Sequence, residues 1–370
     1  MRSKYSLAAA AVVGSLALAP TAWGGANSST SGTPAASAVG HSAASSVTIN
    51  GAGSTFAAPI WQQFTSNLSS QGLSINYQAT GSGAGVAQLQ AGTVDFAASD
   101  PAMLDSEIKA GKGPVVHFPI ALGAITVAYN LPGIKTGQIR LDGKTTADIF
   151  MGKVKTWNDR ELKALNPGVK LPGSAITVVH RSDSSGTTAE FTLFLSDYSP
   201  TWSKQIGAGK IVTFPTGTGA RGTAGVAAVV AQTTGAVGYV EQTYAIQNNI
   251  TYASVKNKAG KFVLPSAAST SAAGVGIKIP ADLRISAINS PNPAAYPIAG
   301  QTFGIVYQDM CKAGVSKPVA LGVKKLFTYA LGSQGQAVVQ KLFYARLSPP
   351  IDAAATAKLK TLTCNGKSLS

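Results

Sequence analysis

From Val47 onward, apolar positions along the chain fall into two alternating rhythms. Val47-Thr48-Ile49, Leu73 to Tyr77, Val94 to Ser99 and Val178-Val179 are short apolar or alternating runs with the length of strands. Between them, apolar residues recur three and four apart, as in Ile60, Trp61, Phe64 and Leu68, which is the spacing of one helix face. Val86 to Gln90 and Phe191 to Leu195 also read as helical. Strand and helix in alternation imply an α/β architecture. The N-terminus has a different pattern: Arg2 and Lys4 precede an apolar run from Leu7 to Ala19 broken by Pro20. That run is too short for a membrane span and fits a secretory signal, with cleavage expected between Ala22 and Ala26. Residues 27–46 are mostly Ser, Ala, Gly and Thr and read as a flexible tail. No Cys lies near the cleavage region, so a bacterial lipoprotein anchor is not expected.

The junctions between strand and helix carry the chemistry. Gly51-Ala52-Gly53-Ser54-Thr55-Phe56, Thr80-Gly81-Ser82-Gly83-Ala84-Gly85 and Arg181-Ser182-Asp183-Ser184-Ser185-Gly186-Thr187-Thr188 each follow a strand and precede a helix. The first turn of a helix has unpaired N–H groups and a partial positive charge, and glycine lets backbone approach a ligand closely. One such loop is equally well read as a capped helix. Three of them gather helix N-termini and hydroxyls onto one small anion, because ligands in α/β folds lie at the carboxyl ends of the strands. Arg181 supplies a fork of donors suited to a tetrahedral oxyanion, and Asp183 is placed to hold that fork. Asp100 ends the apolar strand Val94 to Ser99. A carboxylate aimed at an anion makes sense where the anion still carries a proton for it to accept.

These segments resemble the periplasmic phosphate-binding protein family of the phosphate-specific ABC transporter, from about Ile49 to about Leu369. GAGSTFAAP at 51–59, TVDFAASD at 93–100, RSDSSGTT at 181–188 and GAVGYVE at 235–241 carry the resemblance, and LDGKTTADIFMGKVKTWND at 141–159 and LNPGVKLP at 165–172 extend it. The resemblance implies a two-lobed type II binding-protein fold, with lobe one formed by 47–122 and 300–370 and lobe two by 123–299. Pro119 to Tyr129 and the segment from Tyr296 to Val306 would be the crossover strands, with the ligand buried between the lobes. It places phosphate ligands at Thr55, Phe56 through its N–H, Ser82, Asp100, Arg181, Ser185, Gly186 through its N–H, and Thr187, with Asp183 orienting the arginine. The second loop departs from the family's Gly-Ser-Ser-Gly-Gly and lacks its second hydroxyl. The resemblance also implies inorganic phosphate as ligand, with arsenate as an analogue, and an inner-membrane ABC permease as partner, but no cofactor.

Composition narrows the alternatives. Only 12% of the 370 residues are charged and 40 are Gly, which suits a compact protein with many tight turns. The formal charge is +15, yet the Lys and Arg are scattered without runs or interleaved aromatics. That favours attraction of a small anion over nucleic-acid binding. Cys311 and Cys364 are the two cysteines, in an exported chain most simply one disulfide. With three His, none near either Cys, a metal centre is not expected. Thr216 to Gly222 superficially resembles a phosphate cradle but lacks the ending of a nucleotide loop, so it reads as a turn. The alternative function is a secreted phosphatase at the same cleft. It would need an activated nucleophile or a two-metal cluster, and the fifteen acids are mostly isolated.

Overall fold

The computed structural model describes residues 47–369, so the signal peptide at 1–26, the tail at 27–46 and the last residue of lobe one lie outside the described residues. The first strands are β1 (Val47–Gly53), β2 (Leu73–Gln78), β3 (Phe96–Ser99) and the long β4 (Val115–Tyr129). Then come β5 (Arg140–Leu141), β6 (Thr177–Arg181), β7 (Thr218–Ala220), β8 (Ala236–Glu241), β9 (Thr251–Tyr252), β10 (Ser254–Lys256) and β11 (Phe262–Val263). β12 (Ala299–Tyr307) returns, and β13 (Thr363–Cys364) with β14 (Lys367–Ser368) forms a terminal hairpin.

The principal sheet has the order β2-β1-β3-β12-β4-β8-β6-β7, with β9 also paired to β4. β1 runs parallel to β2 and β3, and β6 runs parallel to β7 and β8, as right-handed βα crossovers require. β4 joins these two groups. Its first part pairs antiparallel with β12 as far as Ala124, and its remainder pairs antiparallel with β8 from Ile125. The β4–β12 ladder shifts register between Thr302 and Phe303.

Helices cover the faces because their apolar stripes need a partner. In the helix Ala58–Ser69, Ile60, Trp61, Phe64 and Leu68 are buried, the stripe read from the sequence. Trp61 packs against Phe64, Tyr77, Phe96 and Phe327, so that helix, β2, β3 and the C-terminal helix Lys317–Leu331 share one aromatic core. On the other side, Phe150, Phe191, Phe214 and Tyr239 form a second aromatic group. Trp157 is buried and donates its indole N–H to the Gly235 carbonyl at 2.9 Å. Cys311 and Cys364 form a disulfide with a Cα separation of 4.7 Å, tying the terminal hairpin to the segment after β12. Among the described residues no helix is long and apolar enough to cross a membrane.

Candidate functional site

Four loops at the carboxyl ends of parallel strands meet at the junction of the two strand groups. After β1, Ser54 N–H donates to the Ala98 carbonyl at 2.8 Å, and Gly53 has φ 138°, where an added Cβ would fall 2.0 Å from that carbonyl oxygen. Only glycine fits there. The loop is held from below by Phe56, whose ring is buried against Tyr344 and whose carbonyl accepts from the Tyr344 hydroxyl at 2.5 Å. After β2, Gly81 N–H donates to the Gly53 carbonyl at 2.8 Å, and Ser82 opens the helix Ser82–Ala91.

Asp100, directly after β3, is the acceptor on which this side converges. Its Oδ1 takes hydrogen bonds from Ser54 Oγ at 2.5 Å and Thr302 Oγ1 at 2.9 Å, and its Oδ2 from Ser82 Oγ at 3.2 Å. Burial pushes its carboxyl up to about 6, against the lowering effect of those hydroxyls and of Arg181.

On the other side, Arg181 ends β6 and is 5% exposed. Its Nε donates to Asp183 Oδ1 at 2.7 Å and its Nη2 to Asp183 Oδ2, a bidentate pair that fixes the guanidinium plane. Nη1 is turned inward, 3.4 Å from Thr187 Oγ1 and 3.2 Å from Thr223 Oγ1. Burial works against the arginine's charge, but Asp183 keeps it above its ordinary range, and Arg181 in turn lowers Asp183 against its own burial. Ser185 caps the helix Gly186–Tyr198, its Oγ accepting from Thr188 N–H at 3.1 Å. Its hydroxyl is thereby committed to the helix, with its one proton left for another partner.

The two sides touch. Thr55 Oγ1 is 3.0 Å from Thr223 Oγ1, Tyr244 Oη donates to the Thr55 carbonyl at 3.1 Å, and Gly83 N–H donates to the Ser184 carbonyl at 3.1 Å. A Cβ on Gly186 would meet Asp100 Oδ2 at 2.3 Å and Ser82 Oγ at 2.4 Å. Farther out, Lys210 pairs with Glu107 at 2.5 Å and Arg284 with Asp105 at 2.6 Å. The structure thus gathers Thr55, Ser82, Asp100, Arg181, Asp183, Gly186 and Thr187 into one buried network, with the Ser185 cap beside it and the Phe56 ring below.

Several members are not among the expected ligands. Gly222 N–H donates to Asp183 Oδ1 at 3.0 Å, and Thr223 bridges Arg181 to Thr55 at the start of the helix Gly222–Gln232. The segment read as a mere turn therefore delivers a fourth helix N-terminus. Glu241 ends β8 with Oε1 2.9 Å from Thr187 Oγ1. Glu190 accepts from Gln301 Nε2 at 2.6 Å, and burial holds its carboxyl well above the usual range, with Asp100 adding to the rise. Glu241 had a signal: it closes an apolar strand in GAVGYVE as Asp100 does in TVDFAASD. His180 stacks on Phe214 with ring centroids 4.4 Å apart, and its Nδ1 lies 3.0 Å from the Arg181 carbonyl, away from the guanidinium.

Such a set, with one clamped guanidinium, four helix N-termini and hydroxyls enclosed between two strand groups, is that of an anion receptor built on the two-lobed type II binding-protein fold. Residues 31–332 match the model of the PBP superfamily domain. The chain is 39% identical to the phosphate-binding protein PstS of Pasteurella multocida over 327 residues, covering 87% of this chain and 93% of that one. It is 40% identical to the protein of the same name from Haemophilus influenzae over 313 residues, 84% and 91% of the two chains. A high-affinity periplasmic phosphate-binding protein solved with phosphate superposes with a TM-score of 0.68 at 23% identity, over 84% of this chain and 93% of that one. The chain belongs to the PstS family of phosphate-binding proteins.

Proposed function

We propose that this protein binds inorganic phosphate at the Arg181–Asp100 site and hands it to the inner-membrane permease of a phosphate-specific ABC transporter. The observation that carries the reading is the Arg181 guanidinium, fixed by Asp183 and facing Asp100 across the site. Donors from Arg181, Thr55, Ser82, Ser185 and Thr187 and the N–H groups of Phe56 and Gly186 would hold the oxygens, while ionised Asp100 would accept the proton that phosphate retains near neutral pH. Arsenate has the same shape and a proton and would be taken as an analogue. The lobes would be 47–122 with 300–370, and 123–299, moving about β4 and β12. Residues 1–26 would direct export, leaving the mature protein periplasmic or secreted.

Binding without turnover is the better reading of the chemistry. Ser185 caps a helix, and His180, the nearest imidazole in sequence, is stacked on Phe214, so neither forms a nucleophile and base pair. A calorimetric titration of the purified mature protein with phosphate, arsenate and sulfate tests the proposal. Heat is expected from the first two and not from sulfate. Equal binding of phosphate and sulfate, or release of product from a chromogenic phosphate ester, would overturn it.

A further inference from the structure

Glu241 sits inside the site without being one of its expected ligands, and its position decides which way a hydroxyl proton points. Its Oε1 is 2.9 Å from Thr187 Oγ1 and 3.4 Å from Thr223 Oγ1, whereas its buried Oε2 has no partner among the described residues. A threonine hydroxyl has one proton to donate and accepts two hydrogen bonds. An ionised Glu241 can only accept, so it draws the Thr187 proton to Oε1 and leaves the Thr187 oxygen as acceptor for Arg181 Nη1. A protonated Glu241 reverses the bond. The carboxyl then donates to Thr187, Arg181 donates to the same oxygen, and the Thr187 proton is free to point at an anion. The unpartnered Oε2 agrees with this, since a bare carbonyl oxygen costs less to bury than a bare carboxylate oxygen.

We propose that Glu241 is a positioning residue that couples phosphate capture to proton uptake, its protonation turning Thr187 into a donor toward the bound anion. The inference rests on the phosphate reading of the site. The groups that bear on Glu241 are Arg181 from β6, Asp100 after β3, Glu190 from the helix Gly186–Tyr198, Tyr244 from the helix Gln242–Gln247, and Tyr344. Burial pushes the Glu241 carboxyl up to about 7, against the pull of Arg181 and with Asp100 adding to the rise. Burial keeps both tyrosines neutral. A second anion beside these carboxyls raises Glu241 further, and by reciprocity a protonated Glu241 strengthens anion binding. The coupled part of the affinity is therefore present below about pH 7 and lost as pH rises through the bound-state value.

Calorimetry with inorganic phosphate from pH 6 to 8.5, in pairs of buffers of different ionisation enthalpy, measures both affinity and protons taken up. The wild type should take up more protons than Glu241→Gln, and its affinity should fall by about tenfold more across the range, the equivalent of one unit of coupling. The glutamine amide donates to Thr187 at every pH, which flattens the profile. Thr187→Val should lose affinity mainly at pH 6, where the wild-type hydroxyl is free to donate, and it decides the matter should Glu241→Gln fail to fold. Parallel profiles for wild type and Glu241→Gln, or a pH-independent loss in Thr187→Val, overturn the inference while leaving phosphate binding intact. A wild type that gives no heat with phosphate overturns the binding reading itself, and this inference with it.

Discussion

Ser184 occupies the space that a side chain at Gly83 would need: a Cβ built on Gly83 would lie 1.9 Å from Ser184 Oγ. The two residues face each other from opposite sides of the site, so the hydroxyl missing from the loop at 81–85 has a counterpart on the loop that faces it. Gly83 has an ordinary backbone conformation, and the constraint is purely one of space. Gly83→Ser alone should weaken phosphate binding through overpacking, at a cost of about 1–3 kcal/mol. Adding Ser184→Gly should recover most of that loss. Strict additivity of the two changes in a calorimetric double-mutant cycle would show that the contact is not felt on binding.

Gly186→Ala tests the approach of the helix Gly186–Tyr198 to Asp100. Alanine suits the first turn of a helix, so thermal stability should change little. Its methyl group, however, would collide with Asp100 Oδ2 and Ser82 Oγ across the site. Phosphate affinity should fall about tenfold to a hundredfold, the equivalent of 1–3 kcal/mol of overpacking. Unchanged affinity would mean that the two sides do not need this contact to hold the ligand.

Arg181→Ala should remove a charge-assisted contact from a desolvated site and leave Asp183 without its partner. The expected loss is about 2–5 kcal/mol, or roughly thirtyfold to several thousandfold in affinity. A change of less than threefold by calorimetry would place the ligand elsewhere.

Asp100 carries a prediction with a sign. Above about pH 6 its carboxylate is an acceptor only, and sulfate, which keeps no proton, would face it lone pair against lone pair. As pH falls through that value Asp100 gains a proton and becomes a donor, so sulfate binding should strengthen between pH 7.5 and 5. Asp100→Asn offers an N–H in nearly the same volume and should admit sulfate already at pH 7.5, with a smaller effect on phosphate. Sulfate rejection that is the same in both proteins and at both pH values would assign selectivity to other groups.

The disulfide joins residues 53 positions apart. In the chain-entropy model, closing such a loop stabilises the fold by about 4 kcal/mol. Reduction should lower the thermal midpoint by several degrees while leaving phosphate affinity nearly unchanged, since neither cysteine is among the hydrogen-bond partners of Asp100 or Arg181. A midpoint insensitive to reductant would show that the hairpin β13–β14 is held by other contacts.

What could be read in the sequence was what lies close together along it. Arg181 and Asp183 are two residues apart, so their pairing follows from one loop, and Gly/Ser/Thr after a strand announces a helix N-terminus wherever it occurs. Thr223, Glu241 and the β12 pair Gln301 and Thr302 reach the site from three separate elements, and only the fold, with its strand order β3-β12-β4-β8, makes them neighbours. Nothing local distinguishes Thr302 from any other threonine in a strand. Gly222 is obscured because the segment Thr216 to Gly222 invites comparison with nucleotide loops, and Thr223 falls just past it, whereas their use here is to lend a helix start to Asp183 and Arg181.

The paired strands β4 and β12 have a mechanical consequence. A joint made of two antiparallel strands paired from Val115–Tyr307 to Ala124–Ala299 is a leaf spring and not a tether. It is stiff in its own plane and against stretching, and it yields by flexing across its thin dimension. In the proposed closure, one lobe would swing toward the other about this joint and bring Arg181 back to the same face of Asp100. The ladder slips between Thr302 and Phe303, and Thr302 is the residue whose hydroxyl grips Asp100. The joint and the carboxylate are thus linked through one hydroxyl, so flexing of the joint would be felt at Asp100.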